Sequence, residues 1–80
     1  MKTYEIRRRD AVGKLLFTVA AETVQSAANL AAPRVSSERS AFAQRLTGDP
    51  ALSGVFSAYV PDRRANGDRQ VGRPFHVRPE

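Results

Sequence analysis

No cysteine occurs in this eighty-residue chain, which excludes a disulfide framework and a thiolate metal site. One histidine, His76, is too few to build a zinc cage. Tryptophan is absent and aromatics make up only 8% of the chain, so an RNA-recognition sheet of stacked aromatic rings is not expected. No apolar run approaches the ~20 residues that cross a bilayer. The run Leu15–Ala21 follows Arg7-Arg8-Arg9 in the manner of a secretory signal. It is short for that role, and Glu5 and Asp10 stand in the would-be positive region. A protein that does not enter membranes, working in a reducing cytoplasm, is the expectation.

Catalytic patterns are missing in the same way. The serines lack the glycine pattern of a nucleophile elbow. Val12-Gly13-Lys14 lacks the first glycine and the following Ser/Thr of a phosphate-binding loop. The eight acidic residues show no metal-ligand spacing. These readings imply no enzyme, no metal and no cofactor.

What the chain has is arginine, eleven in all, unevenly distributed. Residues 1–14 carry five basic and two acidic side chains (net +3), residues 61–80 five and three (net +2), and residues 15–60 three and three, so the ends account for the whole +5. The middle reads as core and the ends as charged surface. Such a charge favours acidic partners, whether nucleic acid, an anionic membrane surface or an acidic patch on another protein, and charge alone does not separate the three.

Thr3–Arg9 alternates, with Tyr4 and Ile6 on one side and Glu5, Arg7 and Arg9 on the other, which predicts a half-buried strand. Arg8 lies in phase with Tyr4 and Ile6 and marks the edge of the core. Asp10–Gly13 supplies turn chemistry, and Lys14–Ala20 returns with Leu15, Phe17 and Val19 inward, giving a hairpin. Glu22–Ala32 then carries Val24, Ala27, Ala28 and Ala31 on one helical face, ended by Pro33. Ser36 or Ser37 is the expected N-cap of a second helix with Phe42, Ala43 and Leu46 as its stripe and Gly48 as its terminator. Asp49–Leu52 could add one short turn. Val55–Val60 reads as a third strand, residues 62–73 as a polar loop around Asn66-Gly67, and Phe75 and Val77 as a short last strand. The expectation is one domain over residues 1–80, an α+β fold of order ββααββ. Its antiparallel sheet has up to four strands, with both helices on one face.

One sheet face is then open. Alternation places Glu5, Arg7, Arg9, Lys14, Thr18, Ser57, Tyr59 and His76 on it, with Arg78 as a further candidate. The loop arginines Arg63, Arg64, Arg69 and Arg73 form a second candidate surface, since guanidinium forks suit carboxylates and phosphates. The candidate partner-binding set is Arg7, Arg9, Lys14, Tyr59, Arg63, Arg64, Arg69, Arg73 and His76.

The opening Tyr4-Glu5-Ile6-Arg7 strand, the Leu15-Phe17-Val19 return and the alanine-rich helix give a layout that resembles the small anti-CRISPR proteins of phages and mobile elements, particularly inhibitors of type I systems such as subtype I-C. That group has no shared motif, so no functional residue carries over by position. The resemblance implies inhibition by docking on the effector complex and blocking target-DNA recognition. Because this chain is basic, unlike the acidic DNA mimics of the group, an acidic patch on a Cas subunit would be the surface it meets. The alternative reading is a small nucleic-acid-binding accessory protein. Either would be a monomer or a small homo-oligomer, with a third option in which a partner strand pairs with the sheet edge.

Overall fold

The computed structural model describes residues 1–47, 53–62, 64 and 67–80. The element order is β1 (Lys2–Arg8), β2 (Leu15–Ala21), α1 (Val24–Ser36), β3 (Phe42–Thr47), β4 (Gly54–Asp62) and β5 (Gly67–Pro79). The strands form one antiparallel sheet in the order β2-β1-β5-β4-β3. The single helix packs on one face and touches all five strands. The expected ββααββ order is thus overturned: among the described residues the order is ββαβββ, five strands and one helix, mostly sheet. A helix held to one side of an antiparallel sheet keeps it within the α+β class.

The first hairpin forms as its turn chemistry dictates. Asp10 Oδ1 accepts the amides of Val12 (3.1 Å) and Gly13 (2.7 Å), and Gly13 takes a positive φ of 65°. Thr23 caps α1 by accepting the Ser26 amide at 3.1 Å. The helix buries Val24, Ala27, Ala28 and Ala31, the expected stripe, together with Ala32. Methyl-sized side chains let the helix axis come close to the sheet, where Ile6, Phe56, Phe75 and Val77 are fully buried.

Pro33 does not end α1. It lies inside the helix, which runs to Ser36. Proline costs the bond to the carbonyl four residues back, but burial of Ala31 and Ala32 before it and packing of Val35 after it hold the last turn in place. Ser36, expected to cap a second helix, closes this one: its hydroxyl donates to Ala32 O (2.7 Å) and accepts the Glu38 amide (3.2 Å). Ser37 follows as a left-handed C-cap at φ 60°.

The expected second helix is strand β3. Phe42, Ala43 and Leu46 have helical spacing, but the stretch from Ser37 to Thr47 allows only about three turns, marginal for a helix on propensity alone. As a strand it gains a ladder with β4, with Phe42 opposite Tyr59, Ala43 opposite Ala58 and Arg45 opposite Phe56. The helix also serves this strand's outer edge. Asn29 Oδ1 accepts the Ala43 amide at 2.9 Å, and Gln25 Nε2 donates to the Ala43 carbonyl at 3.1 Å. Gly48 and the short turn at 49–52 lie outside the described residues.

The polar loop expected over 62–73 is also corrected. β4 runs on to Asp62 and β5 begins at Gly67, paired with it, so Arg69 and Arg73 sit on a strand. Two leucines expected inward face out, Leu15 through a bulge and Leu46 because alternation along β3 sets it on the face opposite the buried Ala43. Ile6 pairs with Phe17 but Arg7 with Leu15, so Leu16 is an extra residue and Leu15 falls in phase with Arg7. Arg45 pairs with Phe56 and Thr47 with Val55, leaving Leu46 extra. Both Leu15 and Leu46 are more than 40% exposed. A third irregularity lies in β5: Phe56 pairs with Phe75 and Ala58 with Val71, so Gly72, Arg73 and Pro74 oppose Ser57 alone. Phe42, expected inward, is half-buried on the uncovered face beside Tyr59, their ring centroids 6.3 Å apart.

Candidate functional site

Two surfaces carry the charged groups, one on each side of the sheet. On the uncovered face, β1 lies between β2 and β5, which brings Glu5 opposite Thr18 and Arg78, and Arg7 opposite His76. Glu5 accepts a forked pair from Arg7, Nε to Oε1 at 3.0 Å and Nη2 to Oε2 at 3.2 Å. Arg7 Nη1 donates to the Gly13 carbonyl at 2.8 Å, tying the fork to the hairpin turn. Arg78 Nε donates to Glu5 Oε1 at 2.9 Å from the other side.

The charges respond as this geometry requires. The bonds from Arg7 and then Arg78 hold the Glu5 carboxyl at about 2, well under its ordinary 4.5, and the carboxylate in turn raises Arg7. His76 is lowered by burial and by the positive charge of Arg78 and Arg7. At neutral pH this part of the face therefore carries two guanidinium ions, one carboxylate and a neutral imidazole. It is a mixed, largely self-paired surface. Farther across the sheet, Ser57 is fully buried, with Gln70 Nε2 donating to its hydroxyl at 3.1 Å, next to the Phe42–Tyr59 pair.

The second surface is a cleft of about 490 Å³ on the helix side, beyond the end of the core. Arg8 reaches it from β1, Arg34 and Val35 from the last turn of α1, Leu16 and Phe17 from the β2 bulge, and Gly72, Arg73 and Pro74 from the β5 bulge. Arg8 shares a strand face with Tyr4 and Ile6, so the strand that builds the core carries its third inward position out to this cleft. The Arg34 guanidinium lies 3.8 Å from the centroid of the Phe17 ring. Gly72 makes the approach of β5 to the helix feasible: its φ is 70°, and a Cβ there would stand 3.2 Å from Ser36 Cα. Among the described residues, no carboxylate lines the cleft, and Arg8 is paired with Asp10, 3.9 Å from its Nε.

The nine residues singled out from the sequence thus fall in several places. Arg7, Tyr59 and His76 are on the uncovered face, and Arg9 and Lys14 are exposed around the β1–β2 turn. Arg64 is exposed in the β4–β5 turn, and Arg63 lies outside the described residues. Arg69 is on β5 beside Asp62 (3.6 Å), and Arg73 is in the cleft. Sequence reasoning did not bring in Arg34, because it follows Pro33 and the helix was expected to stop there. Arg8 was placed at the core edge, but nothing in the chain order tells which helix end it meets.

Among the described residues, no group of three or more His, Asp or Glu side chains is arranged to hold a metal ion. No helix among the described residues is long and apolar enough to cross a membrane. Neither a protein-family model nor a curated protein matches the chain, so its chemistry has to be read from its own residues.

Proposed function

We propose that this protein is a non-enzymatic inhibitor that docks on another protein through the uncovered sheet face, in the host cytoplasm. The carrying observation is the Arg7–Glu5–Arg78 cluster. All three nitrogens of Arg7 are already in place, fixed by Glu5 and the Gly13 carbonyl before any partner arrives. A side chain held in one conformation loses little entropy on binding. Arginine and tyrosine are also the residues on which interface energy concentrates, and Tyr59 sits on the same face. A protein patch, even an acidic one, can place a hydrogen-bond donor opposite Glu5, which a phosphate backbone cannot, so the carboxylate within the cluster favours a protein partner.

The resemblance in layout to type I anti-CRISPR inhibitors supplies the partner to test first, an acidic patch on a Cas subunit whose occupation blocks target-DNA recognition. A gel shift of target DNA by a type I effector complex, with this protein titrated in, is the experiment. Loss of the effector–DNA band, restored by Tyr59→Ala and by Arg9→Glu, is the expected result. A control lane with DNA and this protein alone separates the nucleic-acid alternative: a salt-sensitive shift there would replace the inhibitor reading. An unchanged effector–DNA band would remove this partner.

A further inference from the structure

We infer that the arginine-walled cleft is a binding site for an organic anion with a flat apolar body, of the aryl carboxylate class. This goes beyond docking on a protein and does not depend on it, since the cleft lies on the other side of the sheet from the Arg7–Glu5–Arg78 cluster.

Three features select that chemistry. First, Arg8, Arg34 and Arg73 come from three different elements and converge on one cavity whose lining has no carboxylate. Charges of one sign repel, and among the described residues Arg8 alone of the three has an acidic partner, Asp10 at 3.9 Å, so gathering Arg34 and Arg73 beside it favours an anionic occupant. Second, the rest of the wall is apolar: Leu16, Phe17, Val35 and Pro74 are all partly exposed there. A bare inorganic anion would leave that surface wet, whereas a ring would cover it. Third, the Arg34 guanidinium lies over the Phe17 ring, 3.8 Å from its centroid, which holds the cation at the cleft wall with N–H groups available to fork onto a carboxylate. The volume, about 490 Å³, is in the range of small-molecule sites.

The position of the site follows from the fold. The β2 bulge turns Leu16 and Phe17 toward the last helical turn, and the β5 bulge at Gly72 presents Arg73 and Pro74 from the opposite wall. The β2 and β5 irregularities thus open on the same space.

The test is a titration of the full chain with 2-naphthoate, followed by amide chemical shifts and calorimetry. The neutral analogue 2-naphthalenemethanol and inorganic phosphate are run in parallel. The expected result is saturable binding of the naphthoate with the largest shifts at Phe17, Val35 and Gly72, and much weaker binding of the other two. Arg34→Gln with Arg73→Gln should weaken it by about tenfold or more per arginine, since each removes a charge-assisted hydrogen bond. Should that pair of changes disturb folding, Leu16→Glu keeps the arginines, places a carboxylate at an exposed position in the wall, and should abolish binding. His76→Gln, on the uncovered face, should leave the naphthoate affinity unchanged. Absence of saturation at millimolar naphthoate, or equal binding of the neutral analogue, overturns the assignment whether or not the protein inhibits an effector complex.

Discussion

Glu5 and Arg78 stand seventy-three residues apart in the chain, yet Arg78 Nε donates to Glu5 Oε1 at 2.9 Å, binding the first strand to the last. Arg7 reaches the same carboxylate, so one acidic group serves two cations.

The first prediction concerns acid. Because the folded carboxyl titrates at about 2 instead of 4.5, its contribution is complete above pH 4.5 and is lost as the pH falls toward 2. Urea midpoints measured across that window should fall for the natural chain. In Glu5→Gln the midpoint should start lower at neutral pH and change less with acid. Equal slopes for the two proteins would show that the cluster does not form in solution.

The second concerns Gly72. Its positive φ strains any side chain, and a Cβ there would press on Ser36 Cα at 3.2 Å. Gly72→Ala should destabilise the fold by about 1–3 kcal/mol through strain in the left-handed region. Thermal or urea denaturation gives the number directly, and a neutral result would mean that the β5 bulge does not adopt this geometry.

Much of the layout can be read from residue order, and the exceptions share a cause. The β1–β2 hairpin and the helix stripe are local patterns, set by alternation, Asp10–Gly13 turn chemistry and a 3.6-residue period. The segment at Phe42 is ambiguous because Phe42, Ala43 and Leu46 fit a helix as well as they fit a bulged strand. What decides is the vacant edge of β4, and that is a tertiary fact. Pro33 misleads for the same reason: burial around it outweighs a local rule. Of the two surfaces, the uncovered face is legible from alternation. The cleft is not, because it exists only where bulges in β2 and β5 meet the last turn of the helix.

The third prediction is a stabilising one. Ser37 adopts φ 60° at the C-cap of α1, a conformation glycine takes at no steric cost. Ser37→Gly should raise stability by roughly 0.5–1 kcal/mol, part of the left-handed penalty for a residue with a Cβ. Differential scanning calorimetry would check it, and a drop in melting temperature would count against the assigned cap.

The fourth is a coupling. A double-mutant cycle on Arg34→Gln and Phe17→Leu should return about 0.5–1 kcal/mol of interaction energy, as expected for a cation over an exposed ring. Additive single effects would place the guanidinium elsewhere and would also remove the contact on which the anion site relies.

The contacts of Asn29 and Gln25 with the Ala43 backbone give the helix a second duty. On that flank α1 stands in for a sixth strand, offering one acceptor and one donor where a neighbouring chain would otherwise offer its amide and carbonyl. Loosening of the helix would therefore do more than uncover apolar surface. It would also bare a strand margin able to pair with another molecule.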